Sequence, residues 1–146
     1  MRWLQSQGLQ CLGVDRDPVA LQSAQAFGEV LNADVENQAW PLHTSFDAVV
    51  VTNYLWRELW PNLLASLKPG GVLIYETFAV GNETVGKPSN PLFLLRPGEL
   101  LAVCQGLRVV AFEDGFLPEP DRFVQRIVAV HPSDAADLAV PYPLRA

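Results

Sequence analysis

The sequence predicts an α/β fold, a mostly parallel sheet that ends in an antiparallel hairpin. Three observations lead there. Residues 46–52 form a continuous, β-branched apolar run, the pattern of a strand covered on both faces. Runs of this kind alternate along the chain with stretches of helical apolar spacing, an order that implies parallel pairing. The last two runs, 107–112 and 122–130, are joined by residues 113–121, a link short enough for a hairpin.

In chain order, residues 9–14 (Leu-Gln-Cys-Leu-Gly-Val) read as a short buried strand that stops at Asp15-Arg16-Asp17-Pro18. Asp17 is placed to cap the next helix, with Pro18 at its first position. That helix carries Leu21, Ala24 and Phe27 on one face and ends at Gly28. A second short strand is expected at 30–34 and the strongest at 46–52. Residues 55–67 predict a helix, or two short pieces around Pro61, with Leu63, Leu64 and Leu67 on the apolar face. Lys68-Pro69-Gly70-Gly71 reads as a turn into another buried strand at 72–78. Residues 79–91 form a long polar loop rich in Gly, Asn and Pro, and loops of that length in compact domains are often functional. A short helix is expected from Pro97 to about Cys104, followed by the hairpin. One domain, 1–131, and a tail, 132–146, are expected, with no internal repeat.

The bulk numbers exclude several classes. The chain has 146 residues, 49% hydrophobic and 18% charged, which suits a globular protein with a core. No apolar run reaches the roughly 18 residues that span a bilayer, so no membrane partner is expected. The first residues lack the apolar stretch of a signal peptide, and a cytoplasmic location is expected. Cys11 and Cys104 have no metal-type spacing and are expected to be free, packed thiols. His43 and His131 are isolated, so no metal is expected. The four tryptophans, Trp3, Trp40, Trp56 and Trp60, are expected to be packing or rim residues. A formal charge of −6 disfavours a nucleic-acid partner.

Four segments resemble class I S-adenosylmethionine-dependent methyltransferases, Rossmann-like enzymes. They are Val14-Asp15-Arg16-Asp17-Pro18, Ala33-Asp34-Val35-Glu36, the run from Phe46 through Thr52-Asn53-Tyr54-Leu55, and Leu67-Lys68-Pro69-Gly70-Gly71-Val72-Leu73. Tyr75-Glu76-Thr77-Phe78, Gly81-Asn82-Glu83, Gly86-Lys87-Pro88-Ser89-Asn90-Pro91 and Phe93-Leu94-Leu95-Arg96-Pro97-Gly98-Glu99-Leu100 narrow the likeness to a bacterial branch near the tellurite-resistance methyltransferases. The resemblance spans residues 1 to about 131.

It implies S-adenosyl-L-methionine as cofactor and a small-molecule acceptor. Asp15, with Arg16 beside it, would hold the ribose hydroxyls at a strand's carboxyl end, where open α/β sheets bind ligands. Asp34 would accept from the adenine amine, with the Val35 amide at a ring nitrogen. Asn53 and Tyr54 would face the sulfonium. Glu76, Asn82, Lys87, Asn90 and Arg96 would lie by the acceptor. Tyr54 and Glu76 are the candidates for a catalytic base. Each also has a plainer reading: turn or cap residue for the aspartates, local capping and packing for Asn53 and Tyr54, loop bracing for the others.

One departure matters. The family's first strand and its Gly-x-Gly-x-Gly turn have no counterpart; Gly8, Gly13 and Gly28 stand alone, and residues 2–7 resemble the end of the first helix. The expected fold therefore lacks the first strand of the methyltransferase sheet, whose order is 3-2-1-4-5-7-6. Two long apolar edges would be left unpaired. They are expected to pair with each other, or with a second copy in a homodimer, unless the chain starts inside a longer product. Weak cofactor binding, or none, is expected. Two other readings stay open: a non-catalytic dimeric fragment or interaction module, and an NAD-dependent oxidoreductase, since an acidic residue after the second strand also serves NAD. The second predicts parallel strands to the end, against the terminal hairpin.

Overall fold

The computed structural model describes residues 1–133 and 141–142. The chain divides into two compact units, Met1–His43 and Thr44–Ala146.

In the first unit, helix α1 (Arg2–Ser6) leads to strand β1 (Leu12–Asp15), helix α2 (Pro18–Ala24), a 3-10 turn (Gln25–Phe27) and strand β2 (Glu29–Asn32). The Asp17 side chain accepts from the Val19 N–H at 2.8 Å, and Pro18 opens α2, as the sequence predicts. Gly28 ends this stretch at φ 152°, where a Cβ would stand 2.4 Å from the Cys11 carbonyl oxygen. β1 and β2 pair in parallel, Asp15 opposite Asn32. Only Leu21 and Ala33 are buried apolar residues of this unit.

In the second unit, strand β3 (Phe46–Thr52) is followed by a 3-10 turn (Arg57–Leu59), helix α3 (Trp60–Ala65) and strand β4 (Leu67–Phe78). The loop after β4 holds two 3-10 turns, Asn82–Thr84 and Pro91–Phe93. Helix α4 (Glu99–Val103) and the hairpin of β5 (Arg108–Leu117) and β6 (Arg122–Val130) complete the unit. The sheet order is β3-β4-β6-β5. β3 and β4 are parallel, while β6 lies antiparallel between β4 and β5. The fold is thus α/β with a partly antiparallel sheet, and the terminal hairpin belongs to it.

One face of this sheet carries the core. Leu73, Tyr75 and Thr77 of β4 and Gln125, Ile127 and Ala129 of β6 are buried, with Leu63 of α3 and Leu100 of α4. The alternation along β4 places Ile74, 39% exposed, on the other face beside Val50 of β3.

Three expectations are corrected. Lys68-Pro69-Gly70-Gly71 does not turn away from the sheet but lies within β4. The register jumps there from Phe46–Leu67 to Ala48–Val72, and Gly70 and Gly71 bond the backbone of His131 at 2.8 Å each. A Cβ at Gly71 would stand 2.8 Å from the Lys68 carbonyl oxygen, so this bulge needs a glycine. β5 runs five residues beyond the expected end at Phe112, to Leu117, because it keeps pairing with β6 as far as Arg122. Finally, β2 covers Glu29–Asn32 where a strand over 30–34 is expected, so Ala33 and Asp34 follow the strand instead of ending it. Most of the expected tail lies outside the described residues.

Candidate functional site

In the first unit the parallel pairing of β1 and β2 brings their carboxyl ends side by side, and with them Asp15, Arg16, Asp34 and Val35. Asn32 locks the arrangement. Its side-chain amide donates to the carbonyls of Asp15 (3.3 Å) and Arg16 (3.0 Å), and the Ala33 N–H donates to the Asp15 carbonyl at 3.0 Å. The exposed Asp15 carboxylate accepts from the Asp17 N–H at 2.9 Å through Oδ1. Asp34 is half-buried and accepts from the Asn37 side-chain amide (2.9 Å) and the Glu36 N–H (3.1 Å). These bonds, that of Asn37 foremost, hold its carboxyl below the usual carboxylate range. Arg16 lies 3.8 Å from Glu36. Two carboxylates and a guanidinium at one strand mouth can bind the hydroxyls and amine of a nucleoside.

In the second unit, Asn53, Tyr54 and Glu76 gather at the carboxyl ends of β3 and β4. Asn53 leaves β3 with φ 54°, a left-handed conformation that asparagine tolerates, and its N–H donates to the Glu76 carbonyl at 2.9 Å. The Tyr54 carbonyl accepts from the Tyr75 hydroxyl at 2.7 Å. Burial pushes the Tyr75 phenol up to about 12, so it acts as a neutral donor that fixes Tyr54. The Glu76 carboxylate stands 3.6 Å from Arg126, which also bonds Glu113.

The remaining sequence candidates lie in or beside the loop after β4, in different surroundings. Asn82 is 1% exposed; its amide donates to the Pro88 carbonyl at 3.0 Å and accepts from the Phe123 N–H at 3.2 Å. Asn90 caps the second 3-10 turn through the Leu92 N–H at 3.0 Å. Lys87 and Arg96 are exposed. Asn82 thus ties the loop to β6 and Asn90 serves the loop's own backbone, while Lys87 and Arg96 present charge outward.

Sequence reasoning missed Arg57, Glu99 and Gln125. Arg57 forks onto both oxygens of Glu99, and Gln125, fully buried, joins the Arg96 carbonyl to the Leu100 N–H. Glu99 stood within the quoted Arg-Pro-Gly-Glu-Leu segment, but nothing local ties it to Arg57. Among the described residues no cluster of His, Cys, Asp or Glu could hold a metal ion, and no helix is long and apolar enough to cross a membrane.

No family model and no curated protein sequence matches the chain. Solved structures do. TehB from Haemophilus influenzae superposes with a TM-score of 0.71 at 14% identity, over 88% of this chain and 52% of that one. A SAM-dependent methyltransferase from Methanosarcina mazei gives 0.65 at 15% identity, over 90% and 86%. The N-methyltransferase NodS from Bradyrhizobium japonicum, in complex with S-adenosyl-L-homocysteine, gives 0.63 at 16% identity, over 84% and 67%. The chain therefore spans about half the length of TehB. These likenesses establish its fold, that of the S-adenosylmethionine-dependent methyltransferases.

Proposed function

We propose that the domain serves S-adenosylmethionine-dependent methyl transfer to a small-molecule acceptor. The observation that carries this reading is the strand order: an antiparallel β6 inserted between β4 and β5, in a sheet whose solved likenesses include methyltransferases. A dehydrogenase-type sheet, parallel to its end, does not fit it.

The cofactor would supply an already activated methyl group on its sulfonium, so the protein's task is positioning and exclusion of water. Asp15 and Arg16 are assigned to the ribose, Asp34 and the Val35 amide to the adenine. Asn53 and Tyr54 are assigned to the cofactor from their place at the carboxyl end of β3. Glu76, Lys87, Asn90 and Arg96 are assigned to the acceptor side, and Asn82 to the shape of the loop that carries them. Glu76 and Tyr54 remain the candidates for proton removal from the acceptor, with Arg126 keeping a cation beside Glu76.

Calorimetric titration with S-adenosyl-L-homocysteine tests the reading. Binding by the 146-residue chain is expected to be weak, because the sequence contains no Gly-x-Gly-x-Gly turn to let a backbone approach the ligand. Asp15→Asn and Asp34→Asn should each weaken it further, by about tenfold for one lost charge-assisted pair. Affinity unchanged from the wild type in both variants would refute the assignment.

A second reading has its own support. β3 is an edge strand with Ala48 and Val50 exposed, Val50 by 42%, and from Ala48 to Thr52 it has no proline, no charge and no bulge. An edge of this kind invites pairing. A dimeric, non-catalytic module would show twice the monomer mass by light scattering and no heat with the cofactor product.

A further inference from the structure

The loop after β4 is held at three places. Its root is sheet-like: Ala79 bridges Leu95, the Val80 N–H donates to the Leu95 carbonyl and the Leu95 N–H to the Phe78 carbonyl, both at 2.9 Å. Its first limb is braced from inside by Asn82, bonded to Pro88 and Phe123. Its outer limb, residues 90–96, is anchored at its far end by buried Leu94 and Leu95 and by Gln125 on the Arg96 carbonyl, and is gripped along its length by one cation. Arg57 Nη1 donates to the Leu92 carbonyl (2.7 Å) and Nη2 to the Leu94 carbonyl (3.0 Å). The same guanidinium donates from Nε to Glu99 Oε1 (2.7 Å) and from Nη2 to Glu99 Oε2 (3.0 Å). Glu99 Oε2 in turn accepts from the Arg96 N–H at 2.7 Å.

The backbone of this limb is thus clamped and Leu94 and Leu95 are buried, while Leu92, 70% exposed, Phe93, 43%, and the exposed Arg96 face outward. Arg57 belongs to the turn just after Asn53 and Tyr54, so one planar group couples the end of β3 to the limb. A lysine has the charge but not the fork, and could not hold two carbonyls and a bidentate carboxylate together.

We propose that Arg57, with Glu99 as its partner, is the positioning residue that fixes the direction of Leu92, Phe93 and Arg96, and so the shape of the surface an acceptor meets. This rests on reading the loop as the acceptor side of a methyltransferase.

Hydrogen–deuterium exchange on the full chain tests it. In Arg57→Lys, exchange at the Phe93 and Leu94 amides should rise about tenfold, the scale of one lost charge-assisted bond. Thr84, Val85 and Gly86, whose amides bond Gly81 and Asn82, should be unchanged. A pH series adds a second readout, which a merely global loss of stability would spread equally over β4 and β6. On acidification the wild-type limb should lose protection as Glu99 takes up its proton, and Glu99→Gln should lack that acid step. Glu58, Tyr75 and Arg96, the other ionisable groups acting on the pair, are retained in Glu99→Gln, so the step isolates Glu99.

Unchanged exchange at Phe93 and Leu94, or an equal rise across β4 and β6, would overturn the proposal. Should Arg57→Lys fail to fold, the acid step in Glu99→Gln decides alone. Titration of the same samples with S-adenosyl-L-homocysteine separates the two claims. A wild type that binds nothing removes the methyl-transfer reading, and with it the acceptor role of the clamp, even where the exchange pattern holds. A wild type that binds, with an Arg57→Lys limb that does not loosen, removes only the role of Arg57.

Discussion

At the scale of single residues, the polar groups that matter most are those with little freedom to exchange partners. Burial works to raise the Glu99 carboxyl, but the Arg57 fork and the Arg96 N–H outweigh it and leave the group below the usual carboxylate range. A carboxyl depressed in the folded state stabilises it fully above the unfolded value, about 4.3, and loses that contribution as pH falls through the folded value. Urea midpoints taken from pH 7 down to 3 should therefore fall in the wild type and fall less steeply in Glu99→Gln, which at neutral pH should cost about 1–2 kcal/mol. Asn82 makes a different case. Asn82→Ala would leave the Phe123 N–H and the Pro88 carbonyl without their partner, at a cost of about 2–3 kcal/mol with no pH dependence. A strong pH dependence in that variant would contradict the assignment of its loss to two neutral bonds.

At the scale of elements, what could be read from the sequence and what could not divide along a physical line. Phe46–Thr52 and Arg122–Val130 were legible to the residue because both are continuous β-rich runs that end in polar or turn residues. The cap at Asp17 was legible because its bond to Val19 is local. The Lys-Pro-Gly-Gly segment was misread because its composition is that of a turn, while its conformation is set by pairing with His131, a partner far along the chain. The Arg57–Glu99 clamp was illegible for the same reason, being a contact across 42 positions. Of the candidate site, the grouping of Asp15 with Asp34 followed from a parallel strand pair, but the turning inward of Asn82 depended on Phe123 of β6. Two variants test the element-level account. Asp17→Ala should destabilise α2 by about 1 kcal/mol. Gly71→Ala should cost more, about 2 kcal/mol or above, because its Cβ would press on the backbone of Lys68 and Phe46 rather than on a movable side chain. Thermal melts followed by circular dichroism would rank the two, and a Gly71→Ala protein as stable as the wild type would show that the bulge can open without loss.

At the scale of the molecule, the two units carry very unequal cores. Thr44–Ala146 buries leucines from α3, α4, the sheet and the loop around Tyr75 and Ile127, whereas Met1–His43 buries only Leu21 and Ala33 among its apolar residues. A core of that size cannot offset the ordering of so short a stretch, which costs about 1–2 kcal/mol per residue in backbone entropy alone. Native-state hydrogen exchange should therefore separate them. Amides of β1 and β2 should open by local fluctuation, while those of β4 and β6 should exchange only on global unfolding. The unit that carries Asp15 and Asp34 is then the one a nucleoside would order. A ligand that binds the ordered form alone stabilises it in proportion to the logarithm of its concentration over Kd. Saturating S-adenosyl-L-homocysteine should slow exchange in β1 and β2 and leave β4 and β6 unmoved. Protection gained only in the second unit would place the nucleoside elsewhere and remove both aspartates from the site.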